Sequence, residues 1–448
     1  MNHRSLWYLF VALILLAGGV RAQSGAARPP VLRLGLKDAV AIALAPEGNA
    51  RLQIAEELIR LARARSEESR AALLPNVSAY VGEQNLTRNL EAMGIKFSLP
   101  GFSLPSLVGP FNVFDARASM ALPALNFGSI RRFQAARAGI SQAEAEKESA
   151  RDEVRAAVAR AYMAGLRARG MLEATQADVA LAEAVLKLAQ DQKAIGTGTG
   201  IEVTRAGVQL ANQKQRRLVA QNELAAAHMQ LLRLLNLNLN ARIELADELA
   251  YVPEPAATAE QALKTALEMR TDWKAAQKRL ETVRLQQSAA RMDRLPSVNL
   301  FADYGSTGTG ISRSIPTRTY GFNIQVPVFD GGRLDARRAQ ASAQYRQELI
   351  QSADLRARID LEIRLALDSI QSAAEQLKTA EEGLILAQDV VAQAERRYSA
   401  GVSFGLEVTD AQTRLERARE NRIAALFGYN IARINLYVAM GTISQVTQ

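Results

Sequence analysis

The sequence contains no cysteine and only two histidines among its 448 residues. The absence of cysteine excludes disulfide bonds, thiol chemistry and a lipid-modified cysteine after a secretory signal. His228 is the one histidine beyond the first 22 residues. There is no glycine-rich phosphate loop either, so the sequence offers no constellation of catalytic groups. We therefore expect neither an enzyme nor a site for a metal or another cofactor.

Long apolar runs are scarce. One follows Arg4 and covers residues 6–16, and the small residues Val20 and Ala22 come shortly after it. This arrangement predicts a secretory signal over residues 1–22 rather than an N-terminal membrane anchor, because the run is too short to span a bilayer comfortably. We expect no later segment to form a membrane-spanning helix, so a membrane location would require β-strands.

The formal net charge is +9, from 55 basic and 46 acidic residues. A basic excess can indicate nucleic-acid binding. Here, however, the Lys and Arg residues are interspersed with Glu and Asp along predicted helices, which is typical of a solvent-exposed helix face. We therefore expect no nucleic-acid partner.

The chain contains an internal duplication. Gly196, Gly200, Glu202, Val203 and Thr204 recur at matching positions as Gly401, Gly405, Glu407, Val408 and Thr409, and the pair Leu74 and Pro75 recurs as Leu295 and Pro296. Matched order over so long a separation indicates a duplicated structural unit. We divide the chain after the signal into a first unit, residues 23–256, and a second unit, residues 257–448.

Each unit is predicted to contain a broken helix, two strands, one long helix and a shorter return helix. In the first unit these are helix 36–73 with a break at 46–48, strands 76–88 and 114–125 separated by a loop over 89–112, long helix 131–195 and return helix 202–237. In the second unit they are helix 258–294 with a break at 270–271, strands 297–305 and 319–328, long helix 334–398 and return helix 406–440. A long helix of this size spans roughly 100 Å at about 1.5 Å per residue. The two shorter helices of a unit, stacked end to end, match that length.

The predicted strands alternate between apolar and polar residues. Val298, Leu300 and Ala302 alternate with Asn299 and Asp303, which suits a sheet with lipid on one face and water on the other. Four strands cannot close a barrel alone, and an open edge is not tolerated in lipid, so we expect assembly around an axis. Three copies would give twelve strands, whereas two would give eight with little lumen. The sequence leaves open which strand residues face the lumen.

Segment 397–412 resembles the motif R-Y-x-x-G-x-x-[ST]-x-x-[DE]-[VL]-x-[DE]-A-Q of the TolC-like outer membrane efflux proteins. The one departure is at the Ser or Thr position, which Phe404 or its neighbour Ser403 fills here. The resemblance covers nearly the whole chain after the signal. It implies a mainly α-helical homotrimer, in which a twelve-stranded β-barrel in the lipid of the outer membrane continues as a coiled-coil tunnel across the periplasm. It also implies a passive duct that docks on a periplasmic adaptor and an inner-membrane pump of the RND, ABC or MFS type.

The resemblance assigns a gate to the predicted start of the last helix. In the family, acids at the positions of Glu407 and Asp410 line the closed periplasmic aperture, and threefold symmetry would collect six carboxylates in a cation-attracting ring. The alternative is structural, since acids at a helix N-terminus stabilise the helix dipole by about 0.3–1 kcal/mol. Glu202 is the counterpart of Glu407 in the first unit. Arg205 aligns with Asp410, and the two are expected either to tie the tip shut or to form an exposed salt bridge of little energy.

The glycines of the two helix–helix turns, Gly196, Gly200, Gly401 and Gly405, permit a tight reversal of the chain. By resemblance, these turns form the surface on which the adaptor docks. Phe404 either packs beneath its turn or is presented to that partner.

The alternative function is a periplasmic coiled-coil adaptor or scaffold without a pore. Two pairs of alternating strands argue against it, because adaptors carry a compact lipoyl-like module instead.

Overall fold

The computed structural model describes residues 31–95, 98–99, 101–103, 105–255 and 257–446. The predicted signal, residues 1–22, lies outside these residues. Within them, the chain forms two successive sets of elements in the order that the duplication predicts: a broken helix, strands, a long helix and a return helix.

The helices and strands have the following bounds. The helices are α1 (Leu36–Leu44), α2 (Ala50–Ala71), α3 (Phe127–Ala194), α4 (Gly200–Leu234), α5 (Ala259–Met269), α6 (Thr271–Met292), α7 (Arg333–Ser399), α8 (Gly405–Met440) and α9 (Ile443–Val446), and a 3-10 turn covers Ile311–Arg313. The strands are β1 (Leu32–Leu34), β2 (Asn76–Asn89), β3 (Ser98–Leu99), β4 (Phe102–Ser103), β5 (Leu107–Leu125), β6 (Ile243–Leu245), β7 (Ser297–Gly308) and β8 (Ser314–Gln325).

The two shorter helices of each unit meet end to end beside the long helix, as their lengths predict. In the first unit, Asn49 Nδ2 at the start of α2 donates to the Leu234 carbonyl at the end of α4, at 2.9 Å. In the second unit, Arg270 Nη1 at the start of α6 donates to the Ala439 carbonyl at the end of α8, at 3.2 Å. A polar side chain therefore satisfies a carbonyl that the end of a helix leaves without a partner within the helix.

A hydrophobic core forms where α1, α3 and α4 meet the parallel strands β1 and β6, a pairing that the sequence analysis missed. At its centre is the fully buried Tyr162, whose hydroxyl lies 2.9 Å from the Leu34 carbonyl and 2.8 Å from Asp247 Oδ2. Burial, together with the hydrogen bond to Asp247, raises the pKa of Tyr162. The two strands are only three residues long, too short for a periodicity signal.

The four long strands form one antiparallel sheet in the order β2-β5-β7-β8. Both β2 and β8 are edge strands with an unpaired side. Each strand leads to a helix at one end of the sheet and to a loop at the other end. The helices that adjoin the strands therefore lie beyond the same end of the sheet. The sheet is thus an extension of the helical rods and not part of their core.

The cross-strand register resolves the two faces of this sheet. One face is mainly apolar and is interrupted toward the loop end by Glu83 and Arg318. Across the four strands it carries Val77, Met120, Ala302 and Tyr320 in one row and Leu122, Leu300 and Phe322 in another. The opposite face carries Ser78, Ser119, Asp303 and Thr319 in one row and Asn299 and Asn323 in another. Asn323 and Gln325 therefore belong to the polar face.

Several strand bounds differ from the prediction, and β7 for example extends to Gly308 and not to residue 305. The segment 89–112 was predicted as a loop, but β5 starts at Leu107 and pairs with the end of β2. Pro110 is tolerated because it lies in an irregularity, between the pairs Leu86–Phe111 and Arg88–Val108, where the ladder is interrupted. The last strand lies earlier than predicted, because β8 ends at Gln325 before Pro327.

One later helix has the length and composition of a membrane-spanning helix, which the sequence analysis did not recognise. Helix α8 contains an 18-residue stretch with a mean hydropathy of 1.3, long and apolar enough to cross a bilayer. It packs instead along α7 and α3, and its Tyr429 and Asn430 are buried and donate to the carbonyls of Val252 and Ala250. The apolar stretch therefore forms part of the helix packing.

Candidate gate and docking tips

The long helices end in two turns that lie side by side. We call residues 195–204 the first tip and residues 400–410 the second tip. Val185, Ala206, Val391 and Val408 contribute to one buried cluster that joins the helices of both tips. Gln192 Nε2 of α3 also donates to the Tyr398 carbonyl of α7, at 3.1 Å.

Gly196 and Gly401 close the helices by the same motif. Their φ angles are +83° and +71°, in the left-handed region that glycine adopts at little cost. Gly401 N donates to the Tyr398 carbonyl at 3.0 Å, and Val402 N donates to the Arg397 carbonyl at 2.9 Å. This pair of bonds is the Schellman arrangement, and the first tip repeats it.

Gly200 and Gly405 have a different role. Each is the first residue of a return helix, and neither adopts a positive φ. The chain reversal therefore depends on only two of the four predicted glycines. At Gly405, the ideal position of a Cβ would lie 3.6 Å from the Tyr398 ring, which is ordinary contact.

Gly401→Ala is expected to loosen the second tip, whereas Gly405→Ala is expected to be tolerated. A left-handed alanine costs roughly 1–2 kcal/mol, which corresponds to about a 5–30-fold increase in local opening. Hydrogen exchange of the amides in residues 398–406 measures this difference. Equal exchange rates in the two variants would contradict the assignment.

Glu202 bridges the two tips. Its Oε2 accepts hydrogen bonds from Thr199 N at 3.0 Å and Thr199 Oγ1 at 3.1 Å, which caps α4. Its Oε1 accepts a longer bond from Gly405 N, at 3.4 Å, at the start of α8. Phe404, the residue before α8, has no side-chain acceptor to provide a cap of its own. The Thr199 amide has the largest effect on the pKa of Glu202 and lowers it; burial opposes this, and the Gly405 amide lowers the pKa further.

The repeat-related acid Glu407 makes a different contact. Its Oε1 lies 3.3 Å from Arg397 Nε, so it pairs with the end of α7. Asp410 pairs with Arg414 one turn along α8, with 2.9 Å between Oδ2 and Nη2. Both carboxylates are exposed, so each remains accessible to an ion although an arginine lies beside it.

Arg205 is not brought into contact with Asp410 in this protomer. Among the residues that the structure describes, no ion pair joins the two side chains, and Asp410 has Arg414 as its partner. Arg205 lies close enough to Glu202 to contribute to lowering the pKa of that carboxyl.

The apolar residues of the second tip face outward. Phe404 is 81% exposed, and Val402 and Leu406 beside it are also exposed. Tyr398 is the opposite case, since it is buried beneath the turn, and burial together with the nearby Glu202 raises its pKa. Phe404 therefore does not pack beneath its turn in the single chain, and its contact with an adaptor remains a prediction.

A buried polar network above the tips was missed by the sequence analysis. Glu416 of α8 accepts hydrogen bonds from Gln213 Nε2 and from Gln209 Nε2 (3.0 Å), both on α4, and its Oε2 lies 3.0 Å from Arg216 Nη1. Asp178 of α3 pairs with Arg419 of α8. Both acids are buried. The network therefore joins α8 to α3 and α4 of the first unit.

Comparison with known proteins gives matches over most of the chain. A family model described as "Outer membrane efflux protein" matches residues 41–237 and 262–442. The pyoverdine export outer membrane protein OpmQ of Pseudomonas aeruginosa is 25% identical over 394 residues, which cover 86% of this chain and 80% of the relative. The toluene efflux pump outer membrane protein TtgF of Pseudomonas putida is 25% identical over 435 residues, which cover 92% and 84%.

The fold has solved counterparts. The outer membrane protein VceC from Vibrio cholerae superposes with a TM-score of 0.76 at 20% sequence identity, covering 91% of this chain and 96% of that one. The likeness covers most of both chains, and it confirms the predicted fold class.

Proposed function

This chain belongs to the outer membrane efflux protein family, and we propose that three copies of it form a passive duct from the periplasm to the cell exterior. The observation that carries this proposal is the four-stranded sheet with two open edges and two chemically distinct faces. Backbone groups at an open edge have no partner in lipid. Pairing β8 of one copy with β2 of the next removes every edge when three sheets close into twelve strands.

Exposed apolar residues support contact between copies. Val328 and Phe329, in the segment between β8 and α7, are 92% and 91% exposed. Large apolar side chains seldom stand exposed together without a partner. Further exposed apolar residues lie on α2 and α7, among them Leu58, Leu361 and Leu365. A neighbouring copy would cover them.

The second tip is proposed as the gate. Three copies would bring six carboxylates from Glu407 and Asp410 around the axis. Each is partly neutralised by its arginine partner, so the ring attracts cations less strongly than six free carboxylates would. Glu202 is proposed to support this gate from the neighbouring tip by capping both helix starts, and Arg205 to assist it.

The tips are also proposed to dock on a periplasmic adaptor, which links the duct to an inner-membrane pump of the RND, ABC or MFS type. The outward-facing Phe404 and the bare backbone of Gly196, Gly200, Gly401 and Gly405 support this. Relatives named for pyoverdine and for toluene both match most of this chain, which supports a pump that selects the substrate and a duct that catalyses no reaction. We retain 23–256 and 257–448 as the bounds of the two units.

Single-channel conductance in a planar bilayer tests this proposal. The wild type is expected to show a small, cation-selective conductance. Glu407→Ala/Asp410→Ala is expected to raise the conductance severalfold and reduce the selectivity, because the charges and side chains at the constriction are gone. Arg205→Ala should also raise it if this residue helps to hold the tip shut.

The matched control is Glu67→Ala/Glu68→Ala, which removes two exposed carboxylates from α2, away from the tips. It should conduct like the wild type. A folded wild type and gate variant that are both silent would instead favour a scaffold without a pore. If the gate variant conducts like the wild type, the proposal of a duct stands and the proposal of a gate at Glu407 and Asp410 is contradicted.

A further inference from the structure

The polar face of the sheet carries one compact group of charges. Where the four strands run side by side, its charged residues are Asp115 and Arg117 of β5 and Asp303 of β7, among the residues that the structure describes. We call these three residues the charged belt. The other side chains of this face are neutral, as with Asn299, Asn323 and Thr319. Ionisable groups within a membrane-spanning sheet are costly and usually functional.

The belt has a defined geometry. Arg117 donates two hydrogen bonds to Asp115, with 2.8 Å between Nε and Oδ1 and 2.5 Å between Nη2 and Oδ2. Its Nη1 lies 3.7 Å from Asp303 Oδ1 on the next strand. The guanidinium is thus held between two carboxylates that lie in the rows above and below it on the polar face. One negative charge per chain is left over.

A glycine lies beside the charged belt. Gly305 stands directly opposite Arg117 in the register of β5 and β7. A Cβ at Gly305 would lie 2.4 Å from both the Ala116 carbonyl oxygen and Arg117 Cβ. The two strands therefore approach closely beside the belt, and glycine on β7 permits that approach.

We infer that the charged belt is a second determinant of ion selectivity, located in the barrel and separate from the gate at the tips. The inference rests on the proposed trimeric duct, in which the polar face lines the lumen and three belts form one ring of net charge −3. Lumen-facing residues tune selectivity in such barrels. The ring favours cations and disfavours anions.

The effect depends on salt because the lumen of a twelve-stranded barrel is wide. The Debye length is about 30 Å at 0.01 M and about 3 Å at 1 M. The belt therefore acts across the whole lumen at low salt and only near the wall at high salt. We expect it to change the K⁺ to Cl⁻ permeability ratio about fivefold near 10 mM KCl, and less than about 1.5-fold at 1 M.

The test is a charge series in the Glu407→Ala/Asp410→Ala background, where the tip ring is removed. The net charge of the belt per chain becomes −2 in Arg117→Gln, 0 in Asp303→Asn and +1 in Asp115→Asn/Asp303→Asn. Reversal potentials under a KCl gradient should follow that order, and the last variant should prefer anions. Thr317→Asn/Thr319→Asn, a neutral change on the same face and level, should match the background.

Asp303→Asn keeps both hydrogen bonds between Arg117 and Asp115, so it changes the charge of the belt with the least risk to folding. Size-exclusion chromatography in detergent checks that each variant is folded. Conducting variants that all share the background reversal potential at 10 mM KCl would overturn the belt and leave the duct standing. A folded background and control that are both silent would overturn the duct, and the belt with it. A shift that persists unchanged at 1 M KCl would also overturn the belt, because screening should abolish it.

Discussion

Replacing Arg270 with alanine is expected to lower the free energy of unfolding of the helical region by about 2–4 kcal/mol. This side chain is buried at the junction of α5 and α6, yet it joins three other points. Its Nε and Nη2 bind Asp272 at 3.0 and 2.7 Å, and its Nη1 binds Glu362 of α7 at 2.6 Å and the Ala439 carbonyl of α8 at 3.2 Å.

The energy follows from what the substitution leaves behind. Burial acts to raise the pKa of Asp272, but the hydrogen bonds and charge of Arg270 outweigh it, so that the pKa is lowered. Without the guanidinium, Asp272 and Glu362 lose their counter-charge and the Ala439 carbonyl loses its donor. Both carboxylates are more than a third exposed, and water then compensates part of the loss.

Thermal and urea unfolding in detergent, followed by the circular dichroism of the helices, measures the loss. Arg270→Lys should fall between the wild type and the alanine variant, because an ammonium keeps the charge but cannot hold Asp272 by two bonds. The matched control is Arg364→Ala, which breaks an exposed pair with Asp360 on α7 and should cost less than about 0.5 kcal/mol. Equal losses at Arg270 and Arg364 would show that the junction does not depend on this side chain.

The sequence predicted this junction as a helix break but not what Arg270 does there. The break is a local property, visible in residues 270–271. Two of its partners, Glu362 and Ala439, stand 92 and 169 positions along the chain, and no spacing rule reaches that far. The long helices could be predicted for the opposite reason, since α3 and α7 run without proline between glycine-marked ends and their signal is entirely local.

The same distinction holds at the tips and in the sheet. Gly196 and Gly401 were recognisable because a turn of this kind demands glycine at one position. The capping of both α4 and α8 by Glu202 could not be recognised from the sequence, because it depends on Gly405 lying beside the first tip in the folded chain. Asp115 and Arg117 are two residues apart on a strand and so share a face, which the sequence could have shown. The prediction began that strand at residue 114 and assigned these residues no role.

Replacing Glu416 with alanine is also expected to have a large effect, lowering the free energy of unfolding by about 2–4 kcal/mol. Its carboxylate is buried between α8 and α4, and the substitution leaves Gln213 Nε2 buried without its acceptor. Arg216 is half exposed and can turn to water. The control is Glu420→Ala one turn along α8, whose exposed carboxylate lies 3.4 Å from the same arginine, and it should cost less than about 1 kcal/mol.

The network also makes stability depend on pH in a direction that can be worked out. Burial raises the pKa of both Glu416 and Asp178, although Arg216 and Arg419 oppose it, and Glu420 adds to it. The folded protein therefore holds these protons more tightly than the unfolded chain does. Their contribution to stability is fully present below the unfolded pKa values and is lost as the pH rises through the folded ones.

Glu416→Gln/Asp178→Asn removes both titrations while keeping the side-chain shapes. The pH should be lowered from 7.5 to 4, toward the ordinary pKa values of 4.5 for Glu and 3.8 for Asp, from which both groups are raised. Over this range the unfolding midpoint of the wild type should rise relative to that of the variant as the pH falls. A difference that stays constant over this range would contradict the raised pKa values. Because the network ties α8 to α3 and α4 above the gate, Glu416→Ala should also raise the single-channel conductance, whereas Glu420→Ala should leave it unchanged.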